Sequence, residues 1–211
     1  MAGRGYTIFD STIGRCGIAW GGSGILAVQL PEAREIETRR RMLRQYPDAR
    51  ELRPSLNAEI AIEGIAALLR SQPSDFSNVT LDMRGMPPFN RRVCEVARTI
   101  PRGETVTLAE FAKQLGASGA THAVGQAIGR NPFAILVPCH RVLATDGEAD
   151  RFSINSGTVS QRRLLSLEGA LANSGPTLFD ALLPVAPLAP SCLANSASVT
   201  VSPRGMVRAT S

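Results

Sequence analysis

The chain has 211 residues, 44 % of them hydrophobic, and a formal net charge of +5, which suits one medium domain or two small ones with a buried core. No apolar run reaches the roughly 20 residues of a membrane-spanning helix, and residues 1–12 lack the apolar stretch of a secretory signal, so a cytoplasmic protein with no membrane partner is expected. The positive excess is almost all arginine, whose forked guanidinium binds phosphate well; it fits either a polyanion partner or an ordinary basic surface.

The N-terminal part reads as three strands, over 6–12, 16–20 and 25–30, with turns at Gly14 and at Gly21-Gly22-Ser23-Gly24. A helix over 32–45 carries Arg39, Arg40, Arg41 and Arg44, read as a solvated face, and Trp20 is read as core. A second helix over 57–70 places Ile60, Gly64, Ala67 and Leu68 along one face, and 79–83 is a further strand. The break from Arg84 to Pro88, rich in Gly and Pro, is the natural boundary between an α/β module at 1–85 and a second domain at 86–171.

That second domain opens with a helix over 90–100, with Val93, Val96, Ala97 and Ile100 on one face and Pro101 ending it. Thr107 and Glu110 make a T-x-x-E capping box for a helix over 107–115. A short turn and a small-residue helix over 120–129 follow, so the pair is either a helix-turn-helix or an ordinary αα-hairpin. The apolar run 133–137 leads into Pro138-Cys139-His140-Arg141-Val142, and 144–157 is irregular. Thr158 and Gln161 read as another capping box, for a helix that reaches Glu168 and stops at Gly169. Residues 172–211, rich in Ala, Ser, Pro and Leu, read as a disordered tail.

Chemistry concentrates at Cys139 and His140. Of the four cysteines, Cys16, Cys94, Cys139 and Cys192, none forms a C-x-x-C pair or a metal-ligand spacing, so neither a disulfide scaffold nor a metal is expected. A thiol becomes a nucleophile when a base or a positive field stabilises its thiolate. His140 is that base, directly or through a water, or else the pair is structural. A direct bond needs a turn, because neighbours in a strand face opposite ways, and Pro138 supplies the bend. Glu168 is the carboxylate that would orient the imidazole.

Residues 89–170 resemble the O6-alkylguanine-DNA alkyltransferases (methylated-DNA–protein-cysteine methyltransferases). The matching pieces are Ile100-Pro101-Arg102-Gly103-Glu104-Thr105, Ala123-Val124-Gly125, Gly129-Arg130-Asn131-Pro132, the Pro138 to Val142 motif, Asp146-Gly147 and Leu164-Leu165-Ser166-Leu167-Glu168-Gly169. The resemblance implies an α+β protein: a small ribonuclease-H-like α/β domain, then a helical, winged-helix-like DNA-binding domain that carries the active-site cysteine. It implies stoichiometric transfer of an alkyl group from O6-alkylguanine in double-stranded DNA, with O4-alkylthymine as a further substrate, to Cys139. His140 takes the thiol proton through a water, Glu168 fixes its tautomer, and Asn131 is the hinge between the recognition helix and the active-site strand. Val142, Ile128, Ala134, Phe152 and Ser153 line the guanine pocket, and Leu108, Thr121, His122, Gly125, Gln126 and Arg130 face DNA. The protein would act as a monomer without a cofactor.

The chain departs from the family in four places. His122 stands where an arginine usually fills the gap left by the flipped base, and Leu108 where a tyrosine usually assists flipping. The loop 148–157 carries Asp150 and Arg151 in place of small residues, and Cys94, read as a small core residue, replaces a common tryptophan. Slower transfer is therefore expected. Two other readings stand beside it: a lesion-recognition protein that binds alkylated DNA with little or no transfer, and a DNA-binding regulator using the helix-turn-helix.

Overall fold

A computed structural model describes residues 3–144 and 159–170. Strands β1 (Gly5–Ser11), β2 (Gly14–Gly21) and β3 (Gly24–Gln29) form an antiparallel meander, and β4 (Arg50–Glu51) joins parallel to β1, giving the order β3-β2-β1-β4. Gly24 closes the second hairpin at φ +136, and a Cβ there would lie 2.6 Å from the Thr80 carbonyl oxygen; both dihedral and close approach require glycine. The expected strand at 79–83 shrinks to one bridge, Leu81 with Ile25. The bridge uses the Thr80 carbonyl, which accepts the Ile25 N–H at 2.9 Å, while the Thr80 N–H, which a longer ladder would have used, goes to Asn57 Oδ1 at 2.9 Å.

Helix α1 (Glu35–Gln45) begins three residues later than the sequence pattern indicates. The Glu32 N–H is held outside it by Thr38 Oγ1 at 3.0 Å, and Arg34 is extended. Its arginines are more than a solvated face: Arg39 joins Glu35 and Glu51 and lies over the Tyr6 ring, and Arg41 joins Glu32. Helix α2 (Leu56–Leu69) is capped by Ser55, and its buried stripe of Ala58, Ala61, Ile65 and Leu68 packs on the sheet.

The second half contributes α3 (Pro88–Ala97), β5 (Val106–Thr107), α4 (Leu108–Gln114), α5 (Thr121–Gly129), β6 (Val142–Leu143) and α6 (Gln161–Glu168), with β5 parallel to β6. The capping box of Thr107 and Glu110 forms as expected. For α6 the cap is Ser160, its Oγ accepting the Arg163 N–H at 3.1 Å, and Thr158 of the expected box lies outside the described residues. Gln161 is buried, and its amide nitrogen donates to the His140 and Val142 carbonyls at 2.8 Å each. Gly169, at φ +78, ends α6.

One hydrophobic cluster runs through both halves, from Ile18, Trp20 and Val28 of the sheet through Ile65 of α2 to Val93, Phe111, Val124, Ile128 and Leu164. The core is thus continuous across the Arg84 to Pro88 break. Val28 also donates its N–H to the Pro132 carbonyl at 2.8 Å and bridges to Phe133, so the edge of β3 holds the loop that follows α5.

Candidate active site

Helix α5 ends at Arg130, and the chain turns at Asn131, which is 6 % exposed. The Asn131 carboxamide organises the next eight residues. Its Oδ1 accepts the Phe133 N–H at 2.9 Å, and its Nδ2 donates to the Val137 carbonyl at 3.2 Å and to Cys139 Sγ at 3.3 Å. Behind it, the Cys94 thiol donates to Oδ1 at 3.9 Å.

The apolar run 133–137 is a set of tight turns. Val137 N–H bonds back to Phe133 O at 2.9 Å, and Leu136 N–H to Ala134 O at 2.8 Å. Ile135 adopts φ +68, a left-handed conformation costing a β-branched residue on the order of 1–3 kcal/mol. The core over-determines it: Phe133, Ile135, Leu136 and Val137 are each 2 % exposed or less. Pro138 then leads into a 3-10 turn, Cys139–Arg141, which is the bend that the adjacency of cysteine and histidine demanded.

Cys139 is 3 % exposed. Burial pushes its thiol well up from the ordinary range and the neighbouring Cys94 adds to this, while the Asn131 N–H works the other way. The resting group is therefore a thiol that needs a base. Among the described residues, no direct hydrogen bond joins Cys139 Sγ to His140. His140 is buried, with Nε2 3.1 Å from Glu168 Oε1. Glu168 does reach the imidazole, but the contact is not an aligned hydrogen bond, and Nε2 has no well-directed acceptor.

The aligned bonds to Glu168 come from Arg141, which sequence reasoning gave no role. Its Nε donates to Oε2 at 2.8 Å and one terminal nitrogen to Oε1 at 2.7 Å, while the other reaches the Ile100 carbonyl at 2.5 Å. Burial alone would raise the Glu168 carboxyl. The Arg141 fork, and after it His140, outweigh burial and hold it at about 2. Gln161 was also missed, although its spacing was informative: Gln161, Leu164, Leu165 and Glu168 fall at i, i+3, i+4 and i+7, the buried stripe of α6.

Of the pocket residues, Ile128 and Val142 are fully buried in the cluster that contains Cys139, and Ala134 packs against it. Phe152, Ser153 and the altered loop at 148–157 lie outside the described residues, as does Cys192. On α5, His122, Gln126 and Arg130 are exposed and Thr121 and Gly125 half-buried. His122 Nε2 is 2.9 Å from Gln126 Nε2, one turn along. Leu108 is different: its side chain is 6 % exposed and part of the core, so it offers DNA no side-chain contact. Cys94 is core, as expected, with the added bond to Asn131. Among the described residues no three His, Cys, Asp or Glu side chains cluster to hold a metal, and no helix is long and apolar enough to cross a membrane.

Residues 88–170 match the family model of the 6-O-methylguanine DNA methyltransferase DNA-binding domain. The chain is 38 % identical over 178 residues to the methylated-DNA–protein-cysteine methyltransferase of Mycobacterium tuberculosis, covering 83 % of this chain and 98 % of that one. It is 42 % identical over 120 residues to the Mycolicibacterium paratuberculosis protein of the same name, covering 57 % and 70 %. Among solved structures it is similar to the M. tuberculosis protein OGT in complex with DNA, with a TM-score of 0.59 and 32 % identity over 79 % of this chain and 93 % of that one.

Proposed function

Because the chain belongs to the methylated-DNA–protein-cysteine methyltransferase family, we propose that it repairs DNA by taking an alkyl group from O6-alkylguanine onto Cys139. The carrying observation is the convergence on one buried sulfur of the Asn131 amide at 3.3 Å with, on the next residue, a histidine 3.1 Å from a carboxylate. His140 takes the Cys139 proton through a bridging water. The thiolate attacks the alkyl carbon, an S–C bond forms, the C–O6 bond breaks, and its electron pair stays on guanine, which takes up a proton. The step balances without a cofactor. The thioether does not revert, so each molecule reacts once.

A sulfur 3 % exposed cannot meet a carbon inside a base stack, so the damaged nucleotide rotates out of the duplex into the site. The exposed face of α5, with His122, Gln126 and Arg130, docks on the DNA. The protein works as a monomer where cytoplasmic DNA is accessible. The presence of Cys139, the residue that would accept the alkyl group, favours transfer over the lesion-binding reading. The test is intact mass after incubation with duplex DNA bearing O6-methylguanine. One added methylene on the Cys139 peptide, absent in Cys139→Ser, supports transfer; unchanged mass with lesion binding retained favours recognition without transfer.

A further inference from the structure

We infer that Arg141 is a positioning residue whose charge keeps the His140–Glu168 pair free of a resting proton, and so sets the pH above which Cys139 can be activated. The inference rests on the transfer mechanism proposed above. Its geometry is three buried side chains in contact, the His140 imidazole, the Glu168 carboxylate whose side chain is 0 % exposed, and the Arg141 guanidinium that grips both carboxylate oxygens, with the buried Cys139 thiol on the residue before His140; the bridging water of the proposed mechanism makes them a row of four. When Cys139 gives its proton to His140, the row alternates in sign: thiolate, imidazolium, carboxylate, guanidinium. Before transfer, the carboxylate is already balanced by the guanidinium and makes no demand on His140 for a proton.

Without Arg141, Glu168 would be an anion buried with no cationic partner. Such a group recovers its balance by binding a proton. Whether that proton rests on Oε1 or on Nε2, the pair must lose it before it can accept the one from Cys139. The rise of rate with pH would then move upward. Among the described residues no other charged side chain substitutes for Arg141. Arg102 ends on the Leu167 carbonyl at 3.4 Å, one residue before Glu168. Glu59 and Glu63 of α2, which packs on α6, and Arg70 just after it are exposed, as is Arg162 of α6 itself. Arg163 of α6 is half-buried and has no bond to the carboxylate. On the sulfur side, among the described residues, the neutral Asn131 amide donates to Cys139, and the Cys94 thiol lies behind that amide, donating to its Oδ1.

The test is the pH profile of single-turnover transfer, read by intact mass, for the parent, Arg141→Met and Arg141→Lys. The Met variant should lose about tenfold at neutral pH for each unit its rising limb is displaced, and recover at alkaline pH. The Lys variant keeps the charge and loses the fork, so its limb should stay with the parent's. A Met variant slowed equally at every pH overturns the inference, and so does a Lys variant whose limb shifts as far as that of Met. Should the Met variant not fold, the imidazole resonance of His140 decides, followed by NMR without DNA in the Lys variant and the parent, each carrying His122→Ala so that a single histidine remains. A common titration midpoint supports the role of charge, and a midpoint raised in Lys overturns it. Failure of the parent to transfer would instead count against the function proposed above, and the NMR comparison does not depend on it.

Discussion

Asn131 donates an N–H to Cys139 Sγ at 3.3 Å while its carbonyl is held by the Phe133 N–H at 2.9 Å. The orientation of the amide is thereby fixed, and a donor, not an acceptor, faces the sulfur. Asn131→Asp keeps the shape and replaces that donor by an anion. It should slow transfer by tenfold or more at neutral pH, in the order-of-magnitude sense of losing one charge-stabilising donor, and move the alkaline rise upward. A single-turnover pH profile checks this, and a parent-like profile would show that the amide matters only for folding.

The Glu168 carboxyl lies at about 2 against its ordinary 4.5. A depressed acid contributes stability that is full above its unfolded value and lost as pH falls through the folded one. The loss should therefore run from about pH 4.5 to pH 2 and amount to roughly 3 kcal/mol. Denaturant titrations across that window measure it. Glu168→Gln should remove most of this acid sensitivity and lower stability at pH 7, because Arg141 is left buried without its anion.

Restoring the family's tyrosine at Leu108 is not expected to restore DNA handling. Leu108 is 6 % exposed inside the core, so Leu108→Tyr should cost roughly 1–3 kcal/mol by overpacking, visible as a lower denaturation midpoint with no faster transfer. His122→Arg acts on an exposed position and should tighten DNA binding, with a steeper loss of affinity as salt rises. Binding isotherms at two salt concentrations separate the two variants. Faster transfer in Leu108→Tyr would contradict the buried placement of Leu108.

Ile135→Gly offers a contest between two effects. It relieves roughly 1–3 kcal/mol of left-handed strain at φ +68. It also removes an isoleucine side chain that is 2 % exposed, which costs roughly 2–5 kcal/mol with the cavity left behind. Burial outweighs strain, so the melting temperature should fall. A rise would mean that the turn, not the core, is what holds Ile135.

Local chemistry was enough to read much of this protein from its sequence. Turn glycines bracket the meander, a T-x-x-E pair caps α4, and the Pro138 to Val142 run with the motifs around it marked Cys139, His140, Glu168 and Asn131. Each of those signals is a short local motif, so the chain alone carries them. The tertiary structure decided what depends on distant neighbours. It reduced the 79–83 strand to a bridge, with the Thr80 N–H taken by Asn57, and it withdrew Leu108 into the core. It also recruited Arg141 to Glu168 and Gln161 to the backbone of His140. A sequence shows which side chains are able to bond, but only the packing of α6 against the Cys139 turn determines which buried donor meets which buried acceptor.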